Sequence, residues 1–198
     1  LAPLNADFFS NLGAAYYAEK RFEDAEASFR RGIDLNPANA DSQSNLAAVL
    51  ADRGHVREAI EHYKSAHAAR PNVTKYTLRL GDLCLAHARH IEAAEWFDRY
   101  LKQVPDDGPV HNNLAYCYEM LGELKRARVH YARAVELCPD SPEINNNLGS
   151  VLGRLGDHET ARRYFDKALS ITPEKWENLA NLAGTYLNRQ DYTRAIAI

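Results

Sequence analysis

Asn11, Asn45, Asn113, Asn147 and Asn181 stand in one column of fixed period, and Arg79 takes the remaining place in it. Asparagine is a poor helix former, so its return at a fixed phase of helical segments calls for another reason. An amide carries both a donor and an acceptor and can pair with the N–H and C=O of an extended peptide without reading its side chains. The same amide could instead bond a neighbouring helix, since half-buried amides generally find a partner, and both readings stay open. Arg79 follows Lys75 by one helical turn, a like-charge spacing that costs a helix a few tenths of a kcal/mol. A ligand carboxylate would relieve that cost. Asp82, three residues after Arg79 and on the same face, would do so as well, and this internal pairing is the expected one.

Other reactive residues form no constellation. Of the eight histidines (His55, His62, His67, His87, His90, His111, His130, His158), only His87 and His90 are close at helical spacing, with no third ligand in view. Cys84 and Cys117 fall inside predicted helices, and with Cys138 they read as small buried residues in a reducing, cytoplasmic compartment rather than as a disulfide frame. A glycine-rich phosphate loop, a nucleophile elbow and an HExxH helix are all missing from the sequence. No catalysis, metal or cofactor is therefore expected.

The elements that carry these residues keep the same beat. Proline recurs at Pro3, Pro37, Pro71, Pro105, Pro139 and Pro173. Leucine returns at Leu12, Leu46, Leu80, Leu114, Leu148 and Leu182, each followed by Gly or Ala. Ala25, Ala59, Ala93, Ala127 and Ala161 are followed four residues on by Phe29, Tyr63, Phe97, Tyr131 and Phe165. A strict period of such length means a stacked array, because one unit cannot bury its apolar face alone. The Leu-Gly/Ala pair, the later Ala and aromatic, and the phased proline resemble the tetratricopeptide repeat over nearly the whole chain.

That resemblance implies an all-α fold: an α-solenoid, a right-handed superhelix of stacked antiparallel helix pairs. The expected repeats are 6–39, 40–73, 74–107, 108–141 and 142–175, with a partial one at 176–198, in a single array. Leu1 to Pro3 share the phase of Leu35 to Pro37, so residues 1–5 are expected to be the tail of an upstream repeat in a longer protein. Within a repeat, apolar residues at helical spacing fall in two sets around a polar break. Gly54, Gly122 and Gly156 sit at that break, where a residue after a helix end needs positive φ. The phased proline ends the second helix, and Asn39, Asn72, Asp106 and Asp140 are expected to cap the next one. The third repeat is irregular: Ala88 replaces the turn glycine and Tyr100 stands where its equivalents are small. Its ring should either push helices apart or point outward with its hydroxyl in water.

Charge narrows the partners. With 24 Lys and Arg against 27 Asp and Glu, the net charge of -3 is too balanced for nucleic acid. The longest apolar run, Leu46 to Ala51, falls far short of the ~20 residues a membrane span needs. The resemblance puts the first helix of each pair on a concave face, where the asparagine column would meet an extended partner segment. Such a ladder is known in the superhelical region of protein O-GlcNAc transferase, and bacterial scaffold proteins share the repeat. Repeats that clamp the carboxyl terminus of heat-shock chaperones use Lys-x-x-x-Arg in a third helix pair with an Asn in the second. Lys75, Arg79 and Asn45 match that pattern, whereas Ser10 and Ala14 stand where the first pair would supply Lys and Asn. The inward columns are otherwise mainly acidic (Asp7, Asp41, Asp52, Asp82, Glu119, Glu143), so Lys75 and Arg79 invert the local sign. The resulting expectation is a protein-interaction scaffold gripping a peptide through Asn11, Asn45, Lys75, Arg79, Asn113, Asn147 and Asn181. The alternatives are the non-catalytic targeting region of a larger enzyme such as a glycosyltransferase, and end-to-end self-association.

Overall fold

A repeating apolar stripe can be buried only against the next copy of itself, and a computed structural model shows how. It describes residues 5–173 together with 180, 183 and 184. The described residues form α1 (Ala6–Ala18), α2 (Phe22–Leu35), α3 (Ala40–Asp52), α4 (Val56–Ala69), α5 (Thr74–Ala86), α6 (His90–Leu101), α7 (Gly108–Met120), α8 (Leu124–Leu137), α9 (Pro142–Arg154) and α10 (His158–Ile171). Helices α1 with α2, α3 with α4, α7 with α8 and α9 with α10 pack as pairs, and α2 with α3, α4 with α5 and α8 with α9 join successive pairs. The fold is the all-α solenoid expected from the repeat. Its contacts divide into two compact units, Leu1–Trp96 and Phe97–Ile198, with the boundary inside α6.

One turn joins the two helices of each of the five described repeats. The backbone N–H groups of Arg21, His55, Arg89, Glu123 and Asp157 donate to the carbonyls of Tyr16, Leu50, Cys84, Tyr118 and Leu152 at 2.8–3.0 Å. This six-to-one bond requires the preceding residue in the left-handed region. Gly54, Gly122 and Gly156 supply it without steric cost, whereas Lys20 at φ 60° and Ala88 at φ 55° hold a Cβ there against the preference of an L-residue. The turn is thus a property of the stack, imposed even where glycine is missing.

Side-chain size sets the spacing within a pair. Ala25, Ala59, Ala93, Ala127 and Ala161 are fully buried, and Phe29, Phe97, Tyr131 and Phe165 are buried beside them. A Cβ built on Gly13 would lie 2.7 Å from the Phe29 ring, and one on Gly149 would lie 2.7 Å from Phe165. Each ring therefore fills the space that a missing methyl leaves. Burying one such ring contributes about 1.5–3 kcal/mol, which sums along the array.

The links between repeats are pinned by side chains. The carbonyl of a phased proline has no helical donor, and a polar residue six positions later reaches back to it. Gln43 Nε2 donates to Pro37 O at 3.0 Å and Asn145 Nδ2 to Pro139 O at 2.9 Å, while His111 Nε2 lies 3.0 Å from Pro105 O. Caps fall one place later than expected in two repeats: Asp107 and Ser141, not Asp106 and Asp140, accept from Val110 and Ile144. Asp106 and Asp140 instead pair with Arg133 and Lys167, one link to the facing helix. Asn39 caps α3 as expected, and Val73, not Asn72, occupies the cap of α5 with no side-chain bond. Tyr100 does not point into water. Its ring is buried and its hydroxyl donates to Asp107 Oδ2 at 2.9 Å, tying the end of α6 to the cap of α7. Among the described residues, no helix is long and apolar enough to cross a membrane.

Candidate functional site

In the first unit the first helices of successive pairs present their polar columns on one face. Asn11 on α1 is exposed, Asn45 on α3 is half-buried, and Lys75 and Arg79 on α5 line the same face. A cleft of about 560 Å³ opens here, lined by Asn45, Lys75, Arg79, Tyr17, Asp52 and Tyr63 among others. Ala48 and Ala51 on α3 keep its floor low, because they carry no side chain beyond Cβ. The sequence-predicted trio of Asn45, Lys75 and Arg79 is therefore brought together.

The ion pairing differs from expectation. Lys75 Nζ reaches Asp41 Oδ1 at 2.9 Å, and the same carboxylate takes the Arg70 guanidinium at 2.9 Å and the Tyr76 hydroxyl at 3.2 Å. The hydrogen bond from Lys75 is the first cause that holds the Asp41 carboxyl below the usual range, and it raises Lys75 in return. Asp41 thereby accounts for one of the two clustered cations. Asp82 does not account for the other: among the described residues, Arg79 has no hydrogen bond or ion pair. An i,i+3 spacing allows that pairing, but the Arg79 side chain turns toward the cleft, where its charge is felt by the phenols of Tyr17 and Tyr63. Tyr17 donates to Asp52 Oδ2 at 2.6 Å, and chiefly this bond pushes its phenol up to about 12. The cleft thus combines an amide, a guanidinium without an ion pair, the Lys75 ammonium, two phenols and the carboxylates of Asp52 and Asp82 over a floor of alanines.

The second unit spends its column differently. Asn113 on α7 and Asn147 on α9 are half-buried, and Asn147 Nδ2 donates to Asn112 Oδ1 at 3.0 Å, bonding a neighbouring helix. Glu119 accepts from Tyr131 at 2.9 Å and from Arg154 at 2.6 Å, so its acidic charge is neutralised within the fold. Asn181 lies outside the described residues.

Histidines and cysteines add no reactive centre. His87 caps the end of α5 and His90 begins α6, whereas the pair in contact is His111 with His130, at 3.0 Å between Nδ1 atoms. Among the described residues no three His, Cys, Asp or Glu side chains could hold a metal ion. Cys84 and Cys117 are free thiols and buried, and burial pushes Cys84 up to about 11. Sequence reasoning misses the pairing of Tyr17 with Asp52 in the cleft and of Lys75 with Asp41 at its edge. For Asp41 the signal was present: it stands one full period before Lys75, in the same column of the preceding repeat.

Three family models, each described as tetratricopeptide repeat, match residues 6–39, 44–108 and 106–174. Among curated proteins, the peroxisomal targeting signal receptor of Candida albicans is 29% identical over 94 residues, which is 48% of this chain and 16% of that protein. Protein O-mannosyl-transferase Tmtc3 of Drosophila melanogaster is 30% identical over 91 residues, 46% of this chain and 10% of that protein. The chain thus spans less than a quarter of the curated relatives it matches. The crystal structure of YrrB, a repeat protein with an unusual peptide-binding site, superposes with a TM-score of 0.79 at 19% identity, covering 87% of this chain and 89% of that one. At that identity the likeness concerns the fold.

Proposed function

The chain belongs to the tetratricopeptide repeat family and is a scaffold for protein-protein contact; from that premise we propose that the cleft of the first unit holds an extended peptide bearing a carboxylate. The observation that carries this reading is Arg79, a cation on the cleft wall without an ion-pair partner among the described residues, with the Asn45 amide beside it. Asn45 would pair with the peptide backbone, which is blind to sequence, and Arg79 would set the register by taking an acidic side chain or a terminal carboxylate. Opposite charges fix position more than they add affinity. Lys75, already engaged by Asp41, contributes less than the motif alone suggests. Asn11 would extend the same track along α1. The chain itself takes no catalytic role in this reading, and its balanced charge favours protein over nucleic acid.

A second reading, the targeting repeats of a larger enzyme, is supported by the likeness to the Tmtc3 transferase, of which the match covers 10%. Both readings use the cleft in the same way.

The test starts from peptides selected on the immobilised chain from a phage-displayed random library. Calorimetry then compares a selected acidic peptide with its neutralised Gln/Asn version on wild type, Arg79→Ala and Asn45→Ala. Arg79→Ala should weaken the acidic peptide about tenfold and leave the neutral one unchanged, while Asn45→Ala should weaken both about fivefold. Equal losses for both peptides on Arg79→Ala would remove the carboxylate from the reading.

A further inference from the structure

His111 and His130 hold the link before α7 through a contact that depends on their protonation. The rings stack at 25° with centroids 5.3 Å apart, and their Nδ1 atoms lie 3.0 Å from each other. The other ring nitrogen of His111, Nε2, is 3.0 Å from the carbonyl oxygen of Pro105. A carbonyl only accepts, so Nε2 carries the proton and the Nδ1 of a neutral His111 is a lone pair. His130 must therefore donate its Nδ1–H to His111. One added proton is tolerated, because a single hydrogen can still lie between the two Nδ1 atoms. A second is not: two N–H groups would then meet head-on, each on a cation.

The first unit contains the same device without this property. Gln43 occupies the His111 position two repeats earlier, and His62 the position of His130. Gln43 donates to Pro37 O at 3.0 Å, and its Oε1 lies 2.6 Å from His62 Nδ1. An amide oxygen accepts whatever the charge on His62, and the second N–H of a protonated His62 would face Glu58, 3.7 Å from Nε2. Protonating His62 therefore breaks no hydrogen bond in that contact, although burial first, and then Arg30, hold His62 below the usual imidazole range.

We propose that the His111–His130 pair is a proton-sensitive latch: acidification separates the two rings and so frees His111, with the Pro105 carbonyl it holds, from α8, while the Gln43–His62 contact keeps its hydrogen bond. The groups that face the pair are few. From α7, the Tyr118 ring lies 5.6 Å from His130; from α6, Asp98 accepts from the Tyr118 hydroxyl at 2.8 Å; from α8, Arg126 sits 3.8 Å over the Tyr118 ring. Asp98 favours a protonated His130 and Arg126 opposes it, so the local charges work against each other. Burial first, and then His111, hold His130 below the usual imidazole range. An imidazole depressed in the fold contributes its stability above the ordinary value near 6.5 and loses it as pH falls below that value. That direction is common to His130 and His62, and what sets the His111–His130 pair apart is that two protonated rings would turn N–H against N–H where Gln43 offers His62 an oxygen.

Amide hydrogen exchange of the whole chain at pH 7.5 and 5.0, corrected for intrinsic rates, tests this. Protection across residues 104–112 should fall about tenfold more than across the equivalent residues 36–44. His111→Gln, which copies Gln43, should keep protection at pH 7.5 and abolish the extra loss at pH 5.0. Equal acid loss in the two segments, no loss in either, or the same loss in His111→Gln would overturn the proposal. Should that variant not fold, the NMR titration of the wild-type imidazoles decides: coupled steps with the second well below the first support the latch, and two independent single-proton curves refute it.

Discussion

Replacing Gly149 by Ala sets two effects of known sign against each other. Alanine favours the interior of α9 over glycine by roughly 1 kcal/mol. Its methyl group would, however, lie 2.7, 2.9 and 3.0 Å from three atoms of the Phe165 ring, where carbon contacts settle near 3.5–4.0 Å. The ring would have to retreat by most of an ångström, and it is 2% exposed, so it retreats into packed neighbours. Overpacking of this kind costs about 1–3 kcal/mol. The steric cost should win, and Gly149→Ala should destabilise the array by about 1 kcal/mol. The chain suggests its own compensation, since Gly13 and Gly149 share their repeats with Phe29 and Phe165, whereas Ala47 and Ala115 share theirs with Tyr63 and Tyr131. Tyr131 donates to Glu119, which draws its ring aside and leaves room for the Ala115 methyl. Gly153 stands one period after Glu119, so Phe165→Tyr together with Gly153→Glu, added to Gly149→Ala, should recover about 1 kcal/mol relative to the sum of the separate changes. Urea unfolding followed by circular dichroism measures all four corners of the cycle. A Gly149→Ala variant more stable than its parent, with no coupling to the Phe165→Tyr and Gly153→Glu pair, would refute the account of ring and small residue as one packed unit.

Two further outcomes follow from local geometry. Ala88→Gly should raise the melting temperature, because φ of 55° costs alanine about 1 kcal/mol that glycine does not bear, and an unchanged or lower temperature in a thermal scan would remove that strain from the turn. Asp41→Asn should free Lys75 and tighten a carboxylate-bearing peptide severalfold on the same face, as titration calorimetry would register, whereas loss of binding would make Asp41 itself a contact.

The helix pairs, their turns and their buried columns were legible in the sequence because each depends on residue type at a fixed phase. Proline must end a helix, a small residue must face a ring, and a left-handed residue must follow the first helix, in every repeat alike. The same rule let Asn45, Lys75 and Arg79 be placed on one face, since one period returns the chain to the same angle of the next pair. Partnership was a different matter. Lys75 found Asp41 a full repeat away, not a neighbour on its own helix, and Arg79 was left without Asp82. His111 met His130 across a helix pair, where helical spacing had pointed to His87 and His90. Asn147 turned to Asn112, and Tyr100 to Asp107, once neighbouring helices supplied an acceptor. Long polar side chains reach several ångströms in more than one rotamer, and which acceptor lies within that reach is set by how the pairs stack. Periodicity therefore determined the scaffold and the face, and only the packed helices decided which charges were spent within the fold and which remained for a partner.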